Sequence, residues 1–417
     1  MASKAPSSTL AEFMKEQKTK YLEAVKAGKG REWTVVMGNE AGDLDSLSSA
    51  IAYSWYATTV QQSATVALFR ALRSDLHLRA ENLHALELAG LDPSDPPVLC
   101  IDDIPSPSTP FPSNRFALVD HNHLHSDFTR DNSDPRVIAV VDHHADEGLY
   151  KDTADPRIVT VPTGSASSLV ALLLEQNCPG RVPAELATLL LCSVLIDCNG
   201  LKVGGKAEEQ DRAAAAFLAA RSLLPSDASS LSPTDLHEDP AIRDLASVLS
   251  DKKASISHLD TRDLLRRDYK EYSMTPSWTK HQVVLVGLAS VPLGLKELIA
   301  RDAKFWSSAQ QWMVDQNLSV LGILTSFHAA KELNKKGKPK HKRQQLFFVR
   351  EGVPGLAEKL FTGLEGSAEL KLKDKSAILP KGEEALVGVG VRAWKQGNVD
   401  ATRKVTAPLV KKIIEVS

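Results

Sequence analysis

Four short acidic motifs carry the chemistry of this chain. They read Gly38-Asn39-Glu40-Ala41-Gly42-Asp43-Leu44-Asp45-Ser46, Asp120-His121-Asn122, Asp142-His143-His144 and Asp197-Cys198-Asn199. Each follows an apolar run or ends one. Carboxylates at the ends of buried segments, with imidazoles among them, form the donor set of a pair of hard divalent cations. Asp43 and Asp45, two apart in a turn that enters a helix, can reach adjacent ions. Asp120 at another strand end can bridge them, and His143 and Asp197 can complete the second ion's sphere. Two ions about 3.5–4 Å apart activate a water and stabilise the leaving oxygen of an in-line displacement. No serine or cysteine nucleophile is then needed. Magnesium and manganese suit such a set, manganese accepting imidazole more readily, and cobalt is a third candidate. The chemistry implied is metal-assisted hydrolysis of a phosphate compound.

Taken singly, each residue has an ordinary explanation. Asp43 or Asp45 before a helix reads as an N-cap. A histidine after a strand reads as a hydrogen-bonded surface residue, and Asp197 as a plain helix end. Independent caps, however, need not converge on one edge of a sheet, and these motifs do.

The elements that must position them alternate. Strands are expected at residues 33–37, 65–69, 98–101, 116–119, 137–141 and 158–161, and helices at 46–57, 76–89, 167–176 and 184–195. Short runs rich in Val and Ile, separated by helices, read as a mainly parallel sheet covered on both faces. Ligands gather at the carboxyl ends of such strands, where three of the four motifs fall. Asp197 follows a run, 189–196, that reads equally as helix or buried strand. Residues 9–27 read as an amphipathic helix with a Thr9–Glu12 capping box. The turn Thr163-Gly164-Ser165 reads as an N-cap, or as amides offered to an anion.

A length of 417 residues exceeds one ordinary core, so two domains are expected. The expected boundaries are a metal-binding domain at 1–235, a linker helix region at 236–257 and a second α/β domain at 258–417. The second domain should hold strands near 283–288, 318–325, 346–349 and 386–391, and a basic loop at 334–343. Hydrophobic content of 43% and charged content of 24% describe an ordinary globular chain. No signal peptide or membrane-length apolar run is visible, and four cysteines lack metal or disulfide spacing, so a cytoplasmic location is expected. The net charge of −2 conceals a split. Residues 251–417 carry 29 basic against 18 acidic groups, +11, which leaves −13 for residues 1–250. An acidic half suits cations and a basic half suits a polyanion.

The motif set resembles that of the DHH phosphoesterase superfamily, named for the triplet seen here as Asp142-His143-His144. The second half resembles the DHHA2 domain shared by family II pyrophosphatases, cytosolic exopolyphosphatases and prune proteins. Its marks are Leu265-Arg266-Arg267-Asp268-Tyr269-Lys270, Ala289-Ser290-Val291-Pro292-Leu293, and Arg403-Lys404 with Pro408 beyond. The resemblance implies a parallel-sheet DHH domain, a smaller α/β DHHA2 domain and an active site in the cleft between them. It implies that Asp43 and Asp120 bind one metal, and Asp45, Asp120, His143 and Asp197 the other. His144 would contact the substrate phosphate and assist catalysis. His121 and Asp142 would orient the ligands, and Asn39 would act as a weak ligand or support. Substrate phosphates would meet His144, Arg266, Arg267, Lys270, Arg343, Arg403 and Lys404.

Two departures sort the branches. The pyrophosphatases carry a histidine where this chain has Asn39, and prune proteins carry an arginine where it has His144. No Gly-Gly-Gly-His motif of the DHH exonucleases is present. The combination is most similar to the cytosolic exopolyphosphatases, which release orthophosphate from the end of inorganic polyphosphate. The expectation is a monomer acting on polyphosphate, without nucleic-acid or membrane partners. The alternatives are a prune-like phosphodiesterase acting on small nucleotides or tri- and tetraphosphate, and a catalytically weak interaction protein.

Overall fold

Thr9 carries the expected capping box. Its hydroxyl accepts from the Glu12 amide while the Glu12 carboxylate accepts from the Thr9 amide, opening helix α1 (Leu10–Lys26). The computed structural model describes residues 9–105, 110–225, 232–279, 282–333, 337, 339–380 and 388–416. The chain divides into two compact units, Met1–Ser255 and Ile256–Ser417.

The first unit continues β1 (Thr34–Met37), α2 (Leu44–Thr59), β2 (Thr65–Phe69), α3 (Ala80–Leu88), β3 (Leu99–Cys100), β4 (Arg115–Val119), β5 (Arg136–Asp142) and β6 (Arg157–Val159). Helices α4 (Ala166–Asn177), α5 (Ala184–Asp197), α6 (Glu209–Ala219) and α7 (Pro240–Ala254) follow. The strands form one parallel sheet in the order β3-β2-β1-β4-β5-β6. Strand addition reverses direction between β1 and β4, the point at whose carboxyl ends doubly wound sheets form a ligand crevice.

Alternate side chains of each strand enter two cores. Val36, Ala117, Val119 and Val141 meet α2, α4 and α5 on one side, whereas Val35, Met37, Phe116 and Leu118 pack with Tyr21 and Trp33 on the other. Burial on both faces explains why these strands read as continuous apolar runs.

The six strands stand where the sequence placed them, with ends differing by one or two residues. The helix expected at 76–89 is shorter. A 3-10 stretch, Arg73–Leu78, precedes α3, because the extended backbone of Arg79 interrupts it. The run before Asp197 is helix, with Asp197 its last residue. Residues 236–257, read as a linker region, contain α7, whose Ile242, Leu245 and Leu249 join the first unit's core. All four cysteines are buried and free.

The second unit holds α8 (Thr261–Arg266), β7 (Tyr269–Met274), β8 (Val284–Val291), α9 (Leu295–Arg301), α10 (Phe305–Asp315), β9 (Val320–Leu333), β10 (Pro339–Arg350), α11 (Leu356–Glu365), β11 (Leu372–Asp374), β12 (Val389–Gln396) and α12 (Arg403–Val416). Its mixed sheet runs β11-β12-β10-β9-β8-β7, with β8 and β9 the parallel pair. The basic loop expected at 334–343 is corrected. Residues 339–343 begin β10, pairing with β9 and β12, while 334–336 and 338 lie outside the described residues. The backbone ladder with β9 continues through that basic run although it holds no apolar residue, so neither charge nor hydrophobic pattern marked it as strand. The strand expected at 386–391 is β12, observed from Val389; residues 381–387 lie outside the described set. Among the described residues, no helix is long and apolar enough to cross a membrane.

Phe116 sits wholly buried in β4, with ring centroids 5.9 Å from Phe111 and 5.8 Å from Phe128. Phe116→Ala removes these contacts and leaves a cavity. The expected loss is about 3–5 kcal/mol, read as a lower urea midpoint in the far-UV signal of the metal-free chain.

Candidate metal centre

The first unit's crevice is built around Asp120. It stands just beyond β4 with φ of 60°, a left-handed conformation that Asp tolerates better than most residues. One carboxylate oxygen accepts from Ser46 Oγ at 2.6 Å and Asn39 Nδ2 at 2.7 Å. The other faces His143 Nε2 at 3.2 Å and His144 Nδ1 at 3.7 Å.

The turn between β1 and α2 supplies those donors. Asp43 is the N-cap of α2, accepting from the Ser46 amide at 3.1 Å. The Asn39 amide in turn donates to Ser46 Oγ at 3.0 Å. The ordinary and the functional readings of Asp43 are therefore compatible: one oxygen caps the helix while the carboxylate stays at the crevice. Gly38 makes the turn possible. A Cβ there would lie 2.3 Å from Cβ of Ser46. Arg79 Nη2 donates to the Ala41 carbonyl at 2.7 Å, and Asn82 Nδ2 to the Gly42 carbonyl at 3.0 Å, fixing the turn from α3.

Asp45 is 2% exposed and densely held. Its Oδ1 accepts from Ser165 Oγ (2.7 Å), the Ser167 amide (2.8 Å) and Ser193 Oγ (3.1 Å), and its Oδ2 from the Ala166 amide (2.7 Å). Oδ2 also lies 3.7 Å from His143 Nε2. The amides opening α4 are therefore taken by Asp45. Ser165 is thus the N-cap by position, as read from the sequence, but makes no side-chain cap bond, and the Gly164 amide of the turn goes to the Asp211 carboxylate at 2.8 Å. The positive end of α4 instead holds a carboxylate.

The triplet after β5 is arranged by its first member. Asp142 is fully buried and accepts from Asn122 Nδ2, the His143 amide (2.8 Å) and His144 Nδ1 (2.8 Å). His143 Nδ1 contacts the Thr163 carbonyl at 3.0 Å, leaving Nε2 towards Asp120 and Asp45. An imidazole held through one nitrogen with the other aimed at carboxylates is the arrangement of a metal ligand. His144 is about half exposed, with its outer nitrogen away from Asp142. His121 Nδ1 meets the Val119 carbonyl at 2.9 Å, and its buried Nε2 has no hydrogen-bond partner. Asn39 spends both amide atoms on the protein: Nδ2 on Asp120, Oδ1 on the Ala41 amide at 2.9 Å. It thus supports Asp120 and the turn.

The electrostatics follow from crowding. Burial pushes Asp120 up to about 7, and Asp45 adds to the rise against the hydrogen bonds from His143 and Ser46. Burial, then Asp45, likewise raises Asp197 well above the carboxylate range, with Lys253 opposing at 3.5 Å. Burial opposes a charge on His143, yet Asp120 and Asp45 outweigh it and raise the imidazole to about 10. His144 is raised chiefly by Asp142. Burial lowers His121 to about 4. Asp45, Asp43 and Asp120 all bear on Asp197, and Asp120, His143 and His144 offer donor atoms within 4.8 Å. This oxygen-rich set with one or two imidazoles fits hard divalent cations.

A family model described as "DHH family, N-terminal domain" matches residues 33–194, and one described as "DHHA2 domain" matches residues 247–413. The chain is a DHH–DHHA2 protein. A Schizosaccharomyces pombe protein provisionally named an exopolyphosphatase is 28% identical, covering 93% of this chain and 93% of its own. Mus musculus Exopolyphosphatase PRUNE1 is 26% identical over 94% of this chain and 78% of its own. Among solved structures, a Methanococcus jannaschii protein provisionally described as a family II inorganic pyrophosphatase aligns with a TM-score of 0.50 at 15% identity. It covers 91% of this chain and 99% of its own, and speaks for the fold alone.

The DHHA2 cations named from the sequence are partly engaged. Arg403 Nη2 lies 2.7 Å from Asp268, and its Nη1 donates to the Asp268 carbonyl at 2.9 Å. Arg266 pairs with Asp263 at 2.8 Å within α8. Arg343 Nε donates to the Val399 carbonyl at 2.6 Å. Arg267 and Lys270 are half-buried, and Lys404 is exposed. Sequence reasoning missed the roles of Arg79, Asn82, Ser165, Ser167, Ser193 and Lys253. Ser46 and Asn122 stood inside the motifs as a signal; the others did not.

Two predictions arise. A divalent ion must displace protons held by Asp120 and His143, so Mn²⁺ binding should release protons at neutral pH and tighten as pH rises from about 5 to 8. Calorimetry in buffers of different ionisation heat measures this, and a pH-independent affinity would contradict it. Gly38→Ala should push Ser46 away from Asp120 and weaken Mn²⁺ binding by about 10–100-fold, the range for loss of a ligand's support.

Proposed function

We propose that this chain is an exopolyphosphatase: a metal-dependent hydrolase that removes the terminal phosphate of linear inorganic polyphosphate as orthophosphate. The observation that carries the reading is the meeting of Asp45, Asp120 and His143 beyond the carboxyl ends of the parallel sheet, with Asp43, Asp45 and Asp120 acting electrostatically on Asp197. The names of the two relatives support the same reaction, and the DHH family is hydrolytic. His144 favours this branch over a prune-like one. Asn39, committed to Asp120, favours it over a pyrophosphatase.

Asp43 and Asp120 would hold one magnesium or manganese ion, and Asp45, Asp120, His143 and Asp197 the second. Such ions supply an activated water and neutralise phosphate charge. The chain's own groups do the rest. Asn39 and Ser46 hold Asp120 by one oxygen and leave the other to the site. Asp142 keeps His144 oriented and raises its pKa, so the imidazolium persists to higher pH. A cation at that half-exposed position can hold a phosphate oxygen or give a proton to the leaving phosphate. The arginines of the DHHA2 unit suit further bidentate phosphate contacts.

Phosphate release should be measured from long-chain polyphosphate, pyrophosphate and cyclic AMP with Mg²⁺ and with Mn²⁺. Release from polyphosphate is expected to dominate; none with any divalent ion would refute the reading, and preferential cleavage of cyclic AMP would favour the phosphodiesterase. Asp120→Asn should keep the fold by circular dichroism and lose at least about 100-fold in kcat, as loss of a bridging carboxylate removes charge at both ions.

A further inference from the structure

The DHHA2 sheet carries a second group of cations that the site above does not use. Register and helix contacts place it. Gln345 Nε2 lies 3.4 Å from Thr406 Oγ1, so odd residues of this part of β10 face α12, the helix that Arg403 begins. Gln344 Oε1 accepts from the Leu295 amide at 2.9 Å, so the even residues face α9. Lys395 pairs with Gln344 and Lys373 with Lys395, and Lys342 lies two residues before Gln344. These three lysines therefore occupy the α9 face, opposite the face of Arg403.

Others join them. The Lys375 amide donates to the Ala393 carbonyl at 2.9 Å. Its ammonium is lowered first by burial and then by Lys395, Lys342 and Lys296, which are all within electrostatic reach. Lys340 and Lys395 bear on Glu332, which is bonded to Lys342. Asp374 pairs with Trp394 on the opposite face, so of these two carboxylates only Glu332 offsets part of the group's charge. Lys373 directly opposite Lys395 is a like-charge cross-strand pair, an arrangement that destabilises a sheet unless an anion lies over it. The strands β11, β12 and β10 are neighbours about 4.8 Å apart. A linear polyanion laid across them meets a cation from each strand. Lysine presents a mobile point charge without bidentate geometry, which suits a uniform, sliding chain better than a fixed terminal group.

We propose that this lysine face is an accessory binding surface for the body of an inorganic polyphosphate chain, separate from the groups that hold its reacting end. The proposal rests on the exopolyphosphatase reading for its choice of polyanion. It predicts that long chains are retained between cleavages and short ones are not.

The test uses the full chain and end-labelled long polyphosphate, with binding read by fluorescence anisotropy in EDTA. In K342Q/K373Q/K395Q, affinity should fall at least about tenfold and the salt slope of log K should drop by about 2, as expected for three lost phosphate contacts. Turnover of tripolyphosphate should be unchanged while KM for long chains rises. K15Q/K20Q/K26Q, on the exposed side of α1, alters net charge equally and should bind as wild type. Equal loss in both variants, or loss in neither, overturns the proposal. So does a single-stranded oligonucleotide that displaces polyphosphate at lower concentration than unlabelled polyphosphate does. Lysine-dependent binding without phosphate release by the wild type refutes the hydrolase reading alone. Normal release with unaltered binding in the lysine variant refutes the accessory surface alone.

Discussion

Burying several carboxylates beside one another is the constraint on which the first unit depends. Asp45 and Asp120 are each 2% exposed, and burial raises both Asp120 and Asp197. Such a cluster is costly unless every oxygen is held and a cation is available. The fold meets the first condition by placing carboxylates where backbone amides and hydroxyls already point. Asp45 takes the opening amides of α4, and Asp43 takes that of α2. The reversal of strand order at β1 and β4 brings these helix starts beside the strand ends carrying Asp120 and His143. The site is therefore a property of the sheet's topology more than of any one loop.

That dependence explains what the sequence made legible. Asp43, Asp120 and the Asp142 triplet lie within a few residues of strand ends, so a local hydrophobic pattern followed by acidic residues locates them. The strands were readable because a doubly covered parallel sheet is apolar on both sides. The groups that orient Asp45 were not readable in this way. Ser165, Ser167 and Ser193 lie more than a hundred residues away, the first two at the start of α4, where serines are common, and the third inside α5. Asn82 and Arg79 act through carbonyls of residues 41 and 42, which carry no sequence signal. Asn39 shows the same limit from the other side. Its difference from the pyrophosphatase histidine was visible, but its commitment to Asp120 and Ala41 required the folded turn.

The second unit was legible in charge and illegible in arrangement. A surplus of basic residues over 251–417 was plain, yet it did not separate cations by face. The register does. Arg343 and Gln345 point to the α12 side of β10, and Lys342 and Gln344 to the α9 side, though all four are neighbours in sequence. A basic run that read as one loop is thus two surfaces of a strand, because successive strand residues face opposite ways.

The two surfaces also differ in residue type. On the α12 side the cations include arginines tied to fixed partners: Arg403 to Asp268, Arg343 to the Val399 carbonyl. Held guanidinium groups have defined directions, which suits an anion bound in one fixed orientation. On the α9 side the cations are lysines, whose flexible stems tolerate many positions of the same anion. On the reading proposed above, a substrate made of identical units would call for both properties: its end would be positioned for each cleavage while its body was retained. Two kinds of cation on opposite faces of one sheet would then serve retention without competing for the groups assigned to the end.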